Sequence, residues 1–71
     1  MTNTNMLSNK VKESGLKLTF IAKKLGITRE GLYRKMRNET EFKASEIICL
    51  QTILRLTNKE RDEIFFATKV E

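Results

Sequence analysis

The stretch from Phe20 to Met36 reads FIAKKLGITREGLYRKM, and it decides the fold. Two runs with helical spacing are separated only by Leu25-Gly26-Ile27-Thr28, which is too short for a free loop. Leu18, Ile21, Ala22 and Leu25 fall at offsets 0, 3, 4 and 7, one apolar stripe on a helix from about 18 to 25. Thr28 is a suitable N-cap for the next helix, which turns Leu32 and Met36 inward and reaches about Arg37. Asn38 tolerates the left-handed conformation that ends a helix.

The turn between the two runs imposes an angle rather than merely ending a helix. Ala22 is small where the following helix crosses over it, Gly26 supplies a positive φ, and Ile27 and Leu32 clamp the pair to the core. These requirements are those of a helix-turn-helix spanning about residues 18–37. An ordinary helical hairpin can use the same glycine and the same apolar spacing. What a hairpin has no need of is the outer face of the second helix, which reads Arg29, Glu30, Tyr33, Arg34 and Arg37.

Working outward, every other segment is also helical in its spacing, and none alternates with a period of two. A first helix from Met6 or Leu7 to about Ser14 pairs Leu7 with Val11 and stops at Gly15. A fourth from about Ala44 to Arg55 buries Ile47, Leu50, Ile53 and Leu54. Thr57-Asn58-Lys59-Glu60 has the hydroxyl and carboxylate of a capping box, and it opens a fifth helix through Ile64, Phe65, Phe66 and Ala67. The expected fold is all-α, five helices in a single domain over residues 1–71. Three successive large apolar residues, Ile64-Phe65-Phe66, cannot all turn inward on one helix. Phe65 or Phe66 is therefore expected at the surface as a contact for a homodimer or another partner, unless both pack under the first helix.

Charge divides the chain. Residues 1–43 hold ten Lys and Arg against four acids, whereas residues 44–71 hold four against five, giving +6 and −1. A basic half beside a near-neutral half is the pattern of a polyanion-binding face backed by a packing region, although a solvated basic surface shares it. There is no histidine and a single cysteine, so no Ser-His or Cys-His pairing and no His/Cys metal cluster can form. No glycine-rich phosphate loop is present. The sequence thus points away from enzymes, cofactors, metals and small-molecule substrates. Cys49 sits in the apolar run Ile47-Ile48-Cys49-Leu50 and is expected to be a small buried thiol. The N-terminus is polar, and no apolar run approaches the roughly 20 residues of a membrane span. A cytoplasmic location without membrane association is expected.

The run GLKLTFIAKKLGITREGLYRKMRN resembles, without a gap, the helix-turn-helix of the Cro/CI-type (XRE-like) phage repressors, and TEFKASEI is similar to the start of their fourth helix. The resemblance covers about residues 7–67. It implies a five-helix, lambda-repressor-like DNA-binding domain and transcriptional control in a phage or prophage, inside the bacterial host cell. Double-stranded DNA would be the partner. Larger repressors of the family carry a further C-terminal domain, so this chain is more similar to a small Cro-like regulator, or to a modulator of repression that contacts the CI-type repressor.

By the family match, Arg29, Glu30 and Arg34 point at bases. Arginine can fork onto guanine O6 and N7, and glutamate can accept from cytosine N4. A solvated basic helix face is the plainer reading of the same residues. Tyr33 can touch a thymine methyl or a phosphate, or simply cover the helix flank. Lys17, Lys23, Lys35, Arg37 and Lys43 are candidate backbone contacts, which position a domain rather than choose its sequence. Two positions depart from the family. Leu18 stands where glutamine usually braces the DNA backbone, and Lys43 stands where a hydroxyl cap is usual. A surface with Leu18 and the apolar part of Tyr33 inside a basic rim also suits a protein partner.

Overall fold

The computed structural model describes residues 1–66. Its elements are α1 (Thr4–Ser14), α2 (Leu18–Leu25), α3 (Arg29–Met36), α4 (Ala44–Ile53) and α5 (Asn58–Arg61), the last running on into a π-helical turn over Asp62–Phe66. Among the described residues there is no strand, and no helix is long and apolar enough to cross a membrane. Ala67, placed by the sequence in the fifth helix, lies outside the described residues.

Local chemistry explains where the helices begin. The Asn3 side chain accepts from the Met6 backbone N–H at 3.1 Å, so α1 starts at Thr4, ahead of the expected Met6 or Leu7. Thr28 caps α3 by accepting from Gly31 N at 2.9 Å. A Cβ on Gly31 would stand 3.1 Å from that hydroxyl, so glycine at this position leaves the cap its room. Thr57 and Glu60 close the expected capping box of α5 with bonds of 3.0 and 2.9 Å. At α4, Lys43 has no acceptor to offer, and only the reciprocal half forms, from Lys43 N–H to the Glu46 carboxylate at 2.8 Å.

Helix ends follow one pattern three times. After α2 the Ile27 N–H donates to Ala22 O and Gly26, at φ +75°, supplies the left-handed residue. Asn38, at φ +64°, plays the same part after α3, where Glu39 N–H donates to Arg34 O. The third case departs from expectation. Arg55 adopts φ +55°, Leu56 N–H donates to Gln51 O, and α4 stops at Ile53 instead of running to Arg55. The reversal buries Leu56, a core residue that the helical spacing does not show.

One apolar cluster gathers residues from α1 to α4 and from the π-helical turn: Leu7, Ile21, Ala22, Leu32, Ile47, Leu50, Ile64 and Phe65, with Phe42, Leu54 and Leu56 from the connections. Phe42 closes it by meeting Phe65 edge to face, with ring centroids 5.4 Å apart. The π-helical turn relates to a difficulty visible in the sequence. Its wider i to i+5 spacing accompanies burial of the adjacent Ile64 and Phe65, while Phe66 is left 56% exposed. Phe65 is therefore core rather than a partner contact, and Phe66 is the surface aromatic.

The N-terminal residues tie the far end of α3 to the α5 turn. Thr2 N–H donates to Asn38 Oδ1 and Asn38 Nδ2 donates to Thr2 O, both at 2.9 Å, and Asn3 N–H donates to Ile64 O at 2.7 Å. The residue that ends α3 is thus also held from outside it.

Candidate functional site

The α2 and α3 pair gives the site its frame. Ile27 and Leu32 pack inward as expected, and the buried Ala22 accepts the turn's main-chain hydrogen bond. With Leu32 buried, the opposite face of α3 presents Arg29, Glu30, Tyr33, Arg34 and Arg37, all exposed. The structure thus brings the three residues expected to read bases onto one solvent-facing strip, with Tyr33 at 50% exposure beside them.

The charges on that strip are largely matched. Arg34 Nη2 lies 3.9 Å from Glu30 Oε2 one turn earlier. Arg37 forms an ion pair with Glu39, and its guanidinium lies over the Tyr33 ring at 5.1 Å. The Glu39 carboxylate raises the Arg37 pKa above its already high ordinary value, through a hydrogen bond first and charge attraction second. Of the α3 cations, Arg29 alone has no ion-pair partner among the described residues.

Lys35 is the clearest departure from expectation. Its ammonium sits 3.3 Å from Glu46 Oε1 and donates to the Glu41 carbonyl at 2.9 Å. Glu46 is 5% exposed and is the one buried charged residue among those described. The pair joins α3 to the start of α4 and the chain between them, so the Lys35 side chain has little surface left for a phosphate. An isolated carboxylate at that depth would carry a heavy desolvation penalty, which the ammonium and the Lys43 N–H offset.

Elsewhere the placements vary. Lys17, Lys23 and Lys43 are exposed, and Lys17 occupies the N-cap position of α2 without a side-chain cap. Leu18 is half-buried and packs against the core, so it offers less apolar surface than the sequence suggests. The exposed apolar residue of α2 is instead Phe20, 42% exposed, with Lys24 Nζ 5.5 Å from its ring centre. Phe20 lies off the Leu18-Ile21-Ala22-Leu25 stripe, which is the signal that could have marked it as a surface residue. Cys49 is half-buried rather than buried, with its thiol 3.6 Å from the Lys24 carbonyl. Its neighbour Ile48 is 63% exposed, although it belongs to an apolar run in the sequence.

Comparison with family models, with curated proteins and with solved structures finds no match to the chain. The functional reading therefore rests on the residues and their arrangement.

Proposed function

We propose that this chain is a small Cro-like transcriptional regulator, a five-helix domain of the lambda-repressor type that binds operator DNA in the lysis-lysogeny switch of a phage or prophage. Its α2 and α3 would act as the helix-turn-helix, with α3 entering the major groove. The observation that supports this most is the strip Arg29, Glu30, Tyr33, Arg34 and Arg37, exposed on a short helix whose other side is locked into the core by Leu32. Arg29 and Arg34 would fork onto guanine edges and Glu30 would accept from a cytosine amine. Lys17, Lys23 and Lys43 would hold the phosphates on either side.

Fluorescence anisotropy on a duplex of about two to three turns, titrated with salt, tests this reading. Binding should weaken steeply as salt rises, because each neutralised phosphate releases its counterion. On a specific site Arg34→Ala should cost about 1–3 kcal/mol and relax one base position, whereas Lys23→Ala should lower affinity evenly across sequences. No binding at low salt sinks the proposal.

A second reading has its own support in the pairing of Arg34 with Glu30 and of Arg37 with Glu39. A strip with both signs and a half-exposed tyrosine at its centre suits a protein interface better than a phosphate backbone. On that reading the chain is a modulator of repression that grips the CI-type repressor. Tight binding to a purified repressor of that type, lost on Tyr33→Ala and accompanied by no DNA binding at low salt, would replace the first reading with the second.

A further inference from the structure

Two surfaces outside the α3 strip are complementary to each other. The first runs along α2 and the adjoining side of α4. Lys17, Phe20 and Lys24 follow at spacings of three and four, which sets them on one face of α2. The Cys49 thiol against the Lys24 carbonyl then brings α4, with the exposed Ile48, alongside. Neither helix shows a carboxylate to solvent, since α2 has no acid and the sole acid of α4, Glu46, is buried. On these two helices the exposed Phe20 and Ile48 thus have lysines and no exposed carboxylate for company.

The second surface is the α5 turn, where Phe66 is exposed, Asp62 is exposed but paired with Arg61 at 2.8 Å, and Glu63 is half-buried with no ion-pair partner among the described residues. It offers what the first lacks, namely an unmatched carboxylate, Glu63, three residues before an exposed aromatic ring. In one copy the two surfaces belong to different contacts, because α2 packs against α3 and α4 while the α5 turn packs against α1. Phosphate backbones would leave Phe20 and Ile48 uncovered, whereas an apolar centre in a charged rim is the anatomy of a protein contact.

We infer that a second copy of this chain seats its α5 turn on the α2–α4 face, with Phe66 beside Phe20 and Ile48 and with Glu63 facing Lys17 and Lys24. The contact is heterologous, so a row of copies joins head to tail unless the rotation closes a ring. It leaves the α3 strip open but draws on Lys17 and Lys24, so on the DNA reading a duplex and a second copy compete for those two lysines.

Sedimentation velocity over rising protein concentration tests it. The wild-type chain should associate, and raising salt from about 0.1 to about 1 M, over which the screening length falls from roughly 10 to roughly 3 Å, should weaken the association. Phe20→Ser/Lys24→Glu removes the receiving face and Glu63→Lys/Phe66→Ser removes the inserted one. Each should raise the dissociation constant at least about tenfold while circular dichroism stays unchanged, since a central aromatic commonly carries that much. Mixed together, the two variants retain one intact face each and should form one-to-one dimers and nothing larger. A wild-type chain that stays monomeric at every concentration overturns the inference. So does association indifferent to the α2 variant, which would mean that Phe66 meets its own copy, and so does a mixture that remains monomeric.

Discussion

Helices α2 and α3 are both eight residues long and pack on each other, yet they treat charge in opposite ways. The cations at α2, Lys17, Lys23 and Lys24, have no carboxylate within ion-pair reach among the described residues, and Lys24 rests on an aromatic ring instead. Three of the four cations in or just after α3 are matched: Arg34 by Glu30, Lys35 by Glu46 and Arg37 by Glu39. A net charge over residues 1–43 treats all of these alike. Their arrangement does not, because opposite charges a few ångströms apart largely cancel at a distance while unmatched ones project a field. Any long-range attraction of the basic half for a polyanion would therefore originate mainly on the α2 side, leaving α3 to supply shape and short-range contacts.

The largest difference between the two helices should appear in stability. Lys35→Met leaves the Glu46 carboxylate buried with only the Lys43 N–H for company, and removal of one member of a buried pair typically costs about 3 kcal/mol. Lys24→Met removes an exposed charge and should change stability by less than about 0.5 kcal/mol. Urea unfolding of both variants measures the contrast. Combining Lys35→Met with Glu46→Leu should recover part of the loss, since the orphaned charge is then gone. Equal effects for Lys35→Met and Lys24→Met would show that the pair is not holding α3 to α4.

On the DNA reading the ranking reverses. Replacing Lys17, Lys23 and Lys24 together by glutamine should remove more of the salt dependence of nonspecific duplex binding than replacing Arg34 and Arg37, because the α3 arginines must first give up their own carboxylates. Every cation withdrawn from a phosphate lowers the logarithmic salt slope by about one. Anisotropy titrations at several salt concentrations on one nonspecific duplex would show it. A larger drop in slope from the α3 double variant would place the main phosphate-binding cations on α3 after all.

This contrast also marks what could be read from the chain. The helices were legible because their signals are local: an apolar stripe in α2, Thr28 and the capping box at Thr57, glycine or asparagine at three helix ends. Arg55 was not, since an arginine carries no signature for the left-handed region that it occupies. Phe42 escaped for a related reason, because it lies in a connection where no period predicts burial and only Phe65, distant in sequence, explains it. The exposed strip on α3 was legible from spacing alone. The fate of Lys35 was not, for Glu46 is eleven residues away and only the packing of α4 brings it near. Leu18 is half-buried and Phe20, to which the sequence assigns no role, is exposed, because helical spacing gives a face but not how far its edge reaches.

A smaller difference lies in how the two helices begin. Thr28 caps α3, and Thr28→Ala should cost about 1 kcal/mol. Lys17 makes no such bond at α2, so Lys17→Ala should cost nothing measurable, and Lys17→Ser should gain up to a similar amount by satisfying an open N–H group. Thermal unfolding of the three variants orders them. If Lys17→Ser fails to exceed Lys17→Ala, the α2 N-terminus already has its hydrogen bonds met elsewhere.

The smallest effect concerns the one α1 cation treated as α3 treats its own. Lys10 Nζ lies 2.7 Å from Glu60 Oε2 and so fastens α1 to α5, with Glu13 at 3.7 Å as a weaker neighbour. The Lys10 hydrogen bond first, and the Thr57 backbone N–H second, hold the Glu60 carboxyl below its ordinary value of about 4.3. A carboxyl depressed by folding stabilises the fold fully above its unfolded pKa, and that contribution disappears as pH falls through the folded value. The same bond raises the Lys10 ammonium, whose contribution is full below its unfolded value of about 10.4 and is lost as pH rises through the folded one. The pair is therefore complete across neutral pH and fades on both sides. Lys10→Met should flatten the alkaline fall in melting temperature and reduce, without abolishing, the acid one, because the Thr57 N–H still favours the ionised Glu60. Melting curves of the two proteins between about pH 3 and pH 11, a range enclosing both ordinary values, should converge at the extremes and separate in between. Parallel curves would show that this half-buried bond contributes nothing measurable, and that the charges on α1 behave like those of α2 rather than those of α3.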